Sequence, residues 1–99
     1  MVFDGEMENS TPELEIDISE LSKYMEDGYE LIDVRDELSF AYGNIKGSVN
    51  IPGEKLLENA AEYTGRKLLL YCKRGETSLE LVEALHEQGI DALSLKGGY

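Results

Sequence analysis

Cysteine, histidine and positive charge are all scarce in this chain, and each scarcity excludes something. The single cysteine, Cys72, cannot close an internal disulfide. With one histidine, His86, beside it, the chain cannot assemble a structural zinc site from those two residue types. If Cys72 matters, it matters as a free thiol. Long apolar runs are missing too: none approaches the roughly 20 residues of a membrane span. The opening "MVFDGEMENS" is acidic rather than basic, so neither a signal peptide nor a transmembrane helix is expected, and a soluble cytoplasmic protein is the default. Lysine and arginine number 9 against 21 aspartates and glutamates, a formal net charge of −12. Such acidity repels nucleic acid and anionic membrane surfaces, so neither is an expected partner. It also keeps a small protein soluble. No internal repeat or low-complexity tract is present.

What remains is enough for one domain. The 99 residues support one compact core, and 41% hydrophobic content argues against disorder for most of them. Residues 1–13 are acidic, poor in apolar groups and carry Pro12, which predicts a flexible tail; residues 14–99 form the domain. Short apolar runs then alternate with helical patterns. Strands are expected over 14–16, 29–34, 48–51, 67–72 and 91–95. Helices are expected after Ser19, read as an N-cap, as far as Gly28, over 36–43, over 54–63, and over 76–88 with Leu81, Val82 and Leu85 on one stripe. Strands separated by helices of this length predict an α/β fold: a small, mostly parallel, doubly wound sheet of about five strands with helices on both faces. Ligands in such sheets sit beyond the carboxyl ends of the strands.

Cys72 falls there. The stretch "LLLYCKRGETSLELVEAL" runs from the most apolar strand, through a tight polar loop, into a helix. Main-chain N–H groups of a strand-to-helix turn converge into an anion cradle. Gly75 gives the backbone a conformation that a side chain forbids, while Thr77 and Ser78 add hydroxyl donors in the first helical turn. An unperturbed thiol titrates near ~8.5, and a favourable helix terminus contributes up to about 2 kcal/mol toward the thiolate. Lys73 and Arg74 push the same way. Glu76 and the acidic background oppose them, the latter screened beyond about 8 Å. Cys72 is therefore expected to be largely ionised near neutral pH. The competing reading is an inert cysteine at the end of a core strand; "KRGETS" is too polar and too dependent on glycine to favour it.

This loop resembles the active-site loop of the rhodanese-like sulfurtransferases: cysteine, two variable residues, glycine, one variable residue, then threonine or arginine. "CKRGET" is close to the thiosulfate-using version, in which two cations follow the nucleophile. Upstream, "LIDVRDELSFAYGNIKGSVNIP" resembles the family's Asp-Val-Arg, Gly-His-Ile-x-Gly and Asn-Ile-Pro stretch at Asp33, Arg35, Gly43, Ile45, Gly47, Asn50, Ile51 and Pro52. "LKGGY" resembles its Gly-Gly segment. The likeness spans residues 16–99. Asn44, Ser39 and Lys46 depart from the family's usual histidine, glutamate and proline. The family's helix after the Gly-Gly segment is also missing, which predicts either a piece of a longer protein or an uncovered sheet face that invites self-association.

The resemblance implies a sulfurtransferase. The Cys72 thiolate would attack the outer sulfur of thiosulfate or a similar small anionic donor, and the loop from Lys73 to Ser78 (Lys73, Arg74, Gly75, Glu76, Thr77, Ser78) would hold the resulting persulfide. A thiophilic acceptor, such as cyanide or a protein thiol, would then take the sulfur, with no cofactor or metal. Asp33 and Arg35 are supporting residues that brace the loops. His86 lies at the wrong end of its helix for a Cys–His pair. Of Tyr42, Tyr71 and Tyr99, only Tyr99 is expected near the site. The alternative function is a sulfur-relay or docking module of a larger protein, with little free turnover. A phosphatase is rejected, because Ser78 stands where that chemistry needs an arginine.

Overall fold

The computed structural model describes residues 14–99; the tail expected over 1–13 lies outside them. Five parallel strands form one sheet in the order β1-β5-β4-β2-β3. They are β1 (Glu15–Ile16), β2 (Glu30–Asp33), β3 (Val49–Asn50), β4 (Lys67–Tyr71) and β5 (Asp91–Leu95). The helices are α1 (Leu21–Glu26), α2 (Glu37–Tyr42), α3 (Gly53–Glu58) and α4 (Glu76–Glu87). The sheet is α/β with helices on both faces, as expected.

Alternation along the strands sends side chains to two cores. Ile32, Leu68, Leu70 and Ala92 pack with Leu56, Leu81, Val82 and Leu85 of α3 and α4. Leu31, Leu69, Tyr71 and Leu95 pack on the other face with Leu21, Tyr24 and Met25 of α1. Those four strand residues are at most 2% exposed. The uncovered face expected for a chain without the last helix is thus not found among the described residues, and self-association through it loses its basis. Tyr29 and Ile45 join the α1 residues in packing against that face.

Two local expectations shift. Ser19 caps no helix: Asp17 caps the 3-10 turn (Ile18–Glu20) that leads into α1, its carboxylate accepting from Ser19 N at 3.2 Å and from Ser19 Oγ at 2.9 Å, and α1 itself has no side-chain cap. A carboxylate is the stronger acceptor for orphan N–H groups, so it takes the capping position. The helix expected over 54–63 ends at Glu58, where Asn59 leaves the helical conformation (φ −111°) and its Nδ2 donates to the Lys55 carbonyl at 3.0 Å. The chain continues as a 3-10 turn, Ala60–Tyr63. β4 ends one residue early, leaving Cys72 at the start of the loop.

Candidate active site

β4 is the central strand, flanked by β5 and β2. Because all three run parallel, their carboxyl ends bring the Cys72 loop, the loop after Asp33 and the segment after Leu95 to one edge. The Cys72 loop turns at Gly75, whose φ of 95° lies in the left-handed region, and α4 starts at the next residue. That turn folds main-chain donors back onto the sulfur. Sγ accepts from Gly75 N at 3.0 Å and from Ser78 N at 3.3 Å. The Ser78 hydroxyl lies 3.4 Å from Sγ and 2.7 Å from Ser94 Oγ on β5. It can therefore donate to a thiolate while accepting the Ser94 proton.

Burial pushes the Cys72 thiol up, but the Ser78 hydroxyl and the N–H groups of Ser78, Arg74 and Gly75 outweigh it and hold the pKa below the ordinary thiol value. The direction agrees with the expectation from the loop. The exposure does not: Cys72 is only 5% exposed and belongs to the core on the α3 and α4 side, with Gly75 and Ser78 also buried. A thiol ringed by converging donors has little surface left, and its access is through a pocket.

That pocket has a volume of about 690 Å³ and is lined by Cys72, Lys73, Arg74, Thr77, Arg35 and Tyr99, among others. Lys73, Arg74, Glu76 and Thr77 are exposed, and Glu76 lies with Lys73 and Arg74 along a smaller adjoining recess. All six loop residues named from sequence thus surround the sulfur or its mouth. Thr77 contributes to the wall, while Ser78 alone supplies the hydroxyl.

The second loop is braced by side chains. Arg35 Nη2 lies 2.7 Å from Asp33 Oδ2 and Arg35 Nε lies 3.0 Å from Oδ1. Arg35 N adds a bond to Oδ1 at 2.9 Å, and Nη2 also donates to the Gly43 carbonyl at 2.6 Å. Burial raises the Asp33 pKa, but the Arg35 side chain and backbone hold it below the usual carboxylate range. Asn50 Nδ2 ties the loop back by donating to the carbonyls of Asp33 and Arg35. These contacts join Asp33, Arg35, the Gly43 carbonyl and Asn50 within the loop after β2.

The third element is the Gly-Gly segment. Tyr99 N donates to the Cys72 carbonyl at 2.7 Å, and the Tyr99 ring lies 4.4 Å from Arg35 Cζ. A Cβ on Gly98 would come within 2.5 Å of the Cys72 carbonyl oxygen, so no side chain fits there. Tyr99 is on the pocket wall, as expected, but so is Tyr42, which is 86% exposed on α2. Sequence reasoning weighed Tyr42 and set it aside, named Ser39 and Gly43 only for the family pattern, and passed over Asp36; all four line the pocket. Ser94 was also missed, since a serine in a strand carries no mark of its partner. Tyr71 is wholly buried, its hydroxyl accepting from Ile45 N at 2.9 Å. His86 sits at the far end of α4 with Nε2 2.7 Å from the Ala92 carbonyl, away from Cys72. No cluster of three or more potential metal ligands occurs among the described residues.

Residues 17–99 match the family model of the rhodanese-like domain. The thiosulfate sulfurtransferase GlpE of Pseudomonas aeruginosa is 34% identical over 76 residues, which cover 75% of this chain and 69% of that protein. The adenylyltransferase and sulfurtransferase UBA4 of Yarrowia lipolytica is 31% identical over 97 residues, covering 95% of this chain and 23% of UBA4. Among solved structures, a rhodanese-related protein from Thermoplasma volcanium superposes with a TM-score of 0.75 at 28% identity, over 85% of this chain and 84% of that one.

Proposed function

The chain belongs to the rhodanese-like domain family, and on that premise we propose that it is a sulfurtransferase that carries sulfur as a persulfide on Cys72. The observation that carries this reading is the seating of Sγ between Gly75 N and Ser78 N, at a pocket lined by Lys73 and Arg74. An anionic donor is drawn by the two exposed cations in a chain otherwise strongly negative. The Cys72 thiolate attacks the outer sulfur of thiosulfate; the new S–S bond forms as the bond to the sulfonate sulfur breaks, and sulfite leaves with the electron pair. The amides that hold the thiolate also hold the anionic persulfide. Cyanide or a protein thiol then removes the outer sulfur and returns the thiolate. Every step uses groups of the chain and the two substrates, without a cofactor. A reducing compartment such as the cytoplasm suits a chain whose one cysteine must stay free.

Intact mass after thiosulfate treatment tests the reading. One added sulfur, absent in Cys72→Ser, is expected; no adduct on the folded wild-type protein would reduce the claim to fold analogy.

A second reading has its own support. The match to UBA4 covers under a quarter of that protein, so a domain of this kind also occurs within a longer chain. As a relay or docking module it would take sulfur from a protein donor and hand it on. Rapid persulfide formation with very slow steady-state thiosulfate:cyanide turnover would favour relay; fast turnover favours the free enzyme.

A further inference from the structure

Ser94 lies on β5 two residues after Ala92, so alternation turns it to the side of the sheet where Ala92 packs with Leu81, Val82 and Leu85 of α4. It is fully buried, and so is Ser78 in the first turn of α4. A hydroxyl in apolar surroundings is costly unless its proton finds an acceptor. Among the described residues the Ser94 hydroxyl has one partner, Ser78 Oγ at 2.7 Å, the usual length of an O–H···O bond.

The protons around Ser78 Oγ fix the direction of that bond. Three atoms surround it: Ser94 Oγ at 2.7 Å, the Gly75 carbonyl oxygen at 3.3 Å and Cys72 Sγ at 3.4 Å. Ser78 has one proton to give and two lone pairs to receive. Given to Ser94, that proton would strand the Ser94 proton and leave both the carbonyl and the sulfur without a Ser78 donor. With Ser94 as the donor, every hydroxyl proton has an acceptor. The Gly75 carbonyl already accepts Leu79 N at 3.2 Å, so an ionised sulfur is the stronger claimant to the Ser78 proton. When Sγ is protonated it donates to the second lone pair of Ser78, and the Ser78 proton turns to the Gly75 carbonyl.

We propose that Ser94 is a positioning residue for Cys72: by donating to Ser78 Oγ, it aims and polarises the Ser78 proton toward the sulfur anion. The inference rests on the reading of Cys72 as the sulfur carrier. Ser94 acts only through Ser78, its one hydroxyl partner, and makes no bond to the sulfur. Bonds in such a chain strengthen one another by roughly 10–30% each, so the effect is smaller than that of Ser78 itself. The charged and titratable groups around the sulfur are Arg35, Asp36, Tyr42, Lys73, Arg74 and Tyr99 on the pocket wall and Glu76 in the adjoining recess. None of them is bonded to the Ser94 hydroxyl, so a change there leaves them as they are.

The test is a double-mutant cycle of Ser78→Ala and Ser94→Ala. It is read as the rate of iodoacetamide alkylation against pH, and as the rate of persulfide formation from thiosulfate against pH. Alkylation reports the charge on the sulfur whether or not sulfur is transferred. On the acid side of the profile, Ser78→Ala should slow alkylation about ten-fold, the loss of one hydrogen bond to a charged group. Ser94→Ala should slow it about two-fold, the loss of cooperative strengthening of that bond. In alkali, where the thiol is ionised in every variant, the rates should converge. Persulfide formation should follow the same order. The double variant should match Ser78→Ala, since Ser94 has nothing to act through once the Ser78 hydroxyl is gone. A Ser94 hydroxyl that only supports the fold would leave the alkylation profile unmoved, or slow it equally in both backgrounds; either result would overturn the inference. Failure of the proposed function would look different: no sulfur gained from thiosulfate by the wild-type chain, with the alkylation cycle intact.

Discussion

Two neighbouring loops, one after β2 and one after β4, handle negative charge in opposite ways. After β2 the Asp33 carboxylate is fully buried and is met by a guanidinium, with Arg35 Nε, Nη2 and N all donating to it. After β4 the sulfur is met by main-chain amides and a hydroxyl. The cations of that loop, Lys73 and Arg74, form no ion pair among the described residues. A carboxylate locked to a guanidinium is a rigid brace with no further chemistry. A thiolate stabilised by dipoles keeps its nucleophilic electron pair, and leaves the nearby cations free for a donor.

If that contrast is right, variants of the two loops should fail differently. Cys72→Ser should remove persulfide formation altogether while shifting Tm by a few degrees at most; an adduct surviving in this variant would place the chemistry elsewhere. Asp33→Ala should be the most destabilising change, because it strands the Arg35 guanidinium, which is 12% exposed: about 3 kcal/mol by urea unfolding. The folded carboxyl pKa is depressed, so the stabilisation is fully present above the unfolded carboxylate value and is lost as pH falls through the folded one. The wild-type advantage over Asp33→Ala should therefore shrink only in acid, and an advantage independent of pH would break the comparison.

Gly98→Ala probes where the two loops meet. Its φ is 69°, and the new Cβ would meet the Cys72 and Lys73 carbonyls. A loss of about 2 kcal/mol is expected from the backbone alone, with persulfide formation slowed; normal stability would mean that the segment is not packed as described. Ser78→Ala should raise the pH midpoint of iodoacetamide alkylation, since it deletes one donor to the thiolate. The lowered thiol pKa contributes stability above the unfolded thiol value that is lost as pH falls through the folded one, and the variant should narrow that window. An unmoved midpoint would assign the stabilisation to amides alone. Ser94→Ala is the mildest test: about 1 kcal/mol of stability, and a smaller rise in the same midpoint.

Where sequence reading succeeded, the signal was local. The strand expected over 67–72 is β4 apart from Cys72, and the helix expected over 76–88 is α4 with Leu81, Val82 and Leu85 buried as the stripe required. Gly28 stops α1 and Gly75 turns at positive φ because both act within a few residues of themselves. Cys72 stood out for the same reason, at the junction of an apolar strand and a helix, whereas Asp33 and Arg35 were singled out through the family resemblance. The misses needed distance. Asp36, Tyr42 and Gly43 enter the pocket only once β2 lies beside β4, and Ser94 reaches Ser78 across 16 residues of chain.

From its residues alone this chain determined a parallel α/β fold and a single thiol between a strand and a helix N-terminus. Those features follow from periodicity, glycine placement and spacings of a few residues. Only the tertiary structure decided that the thiol would be buried rather than exposed and which tyrosines would wall its pocket. Each of these is set by the parallel alignment of strands distant in sequence, which no local pattern encodes.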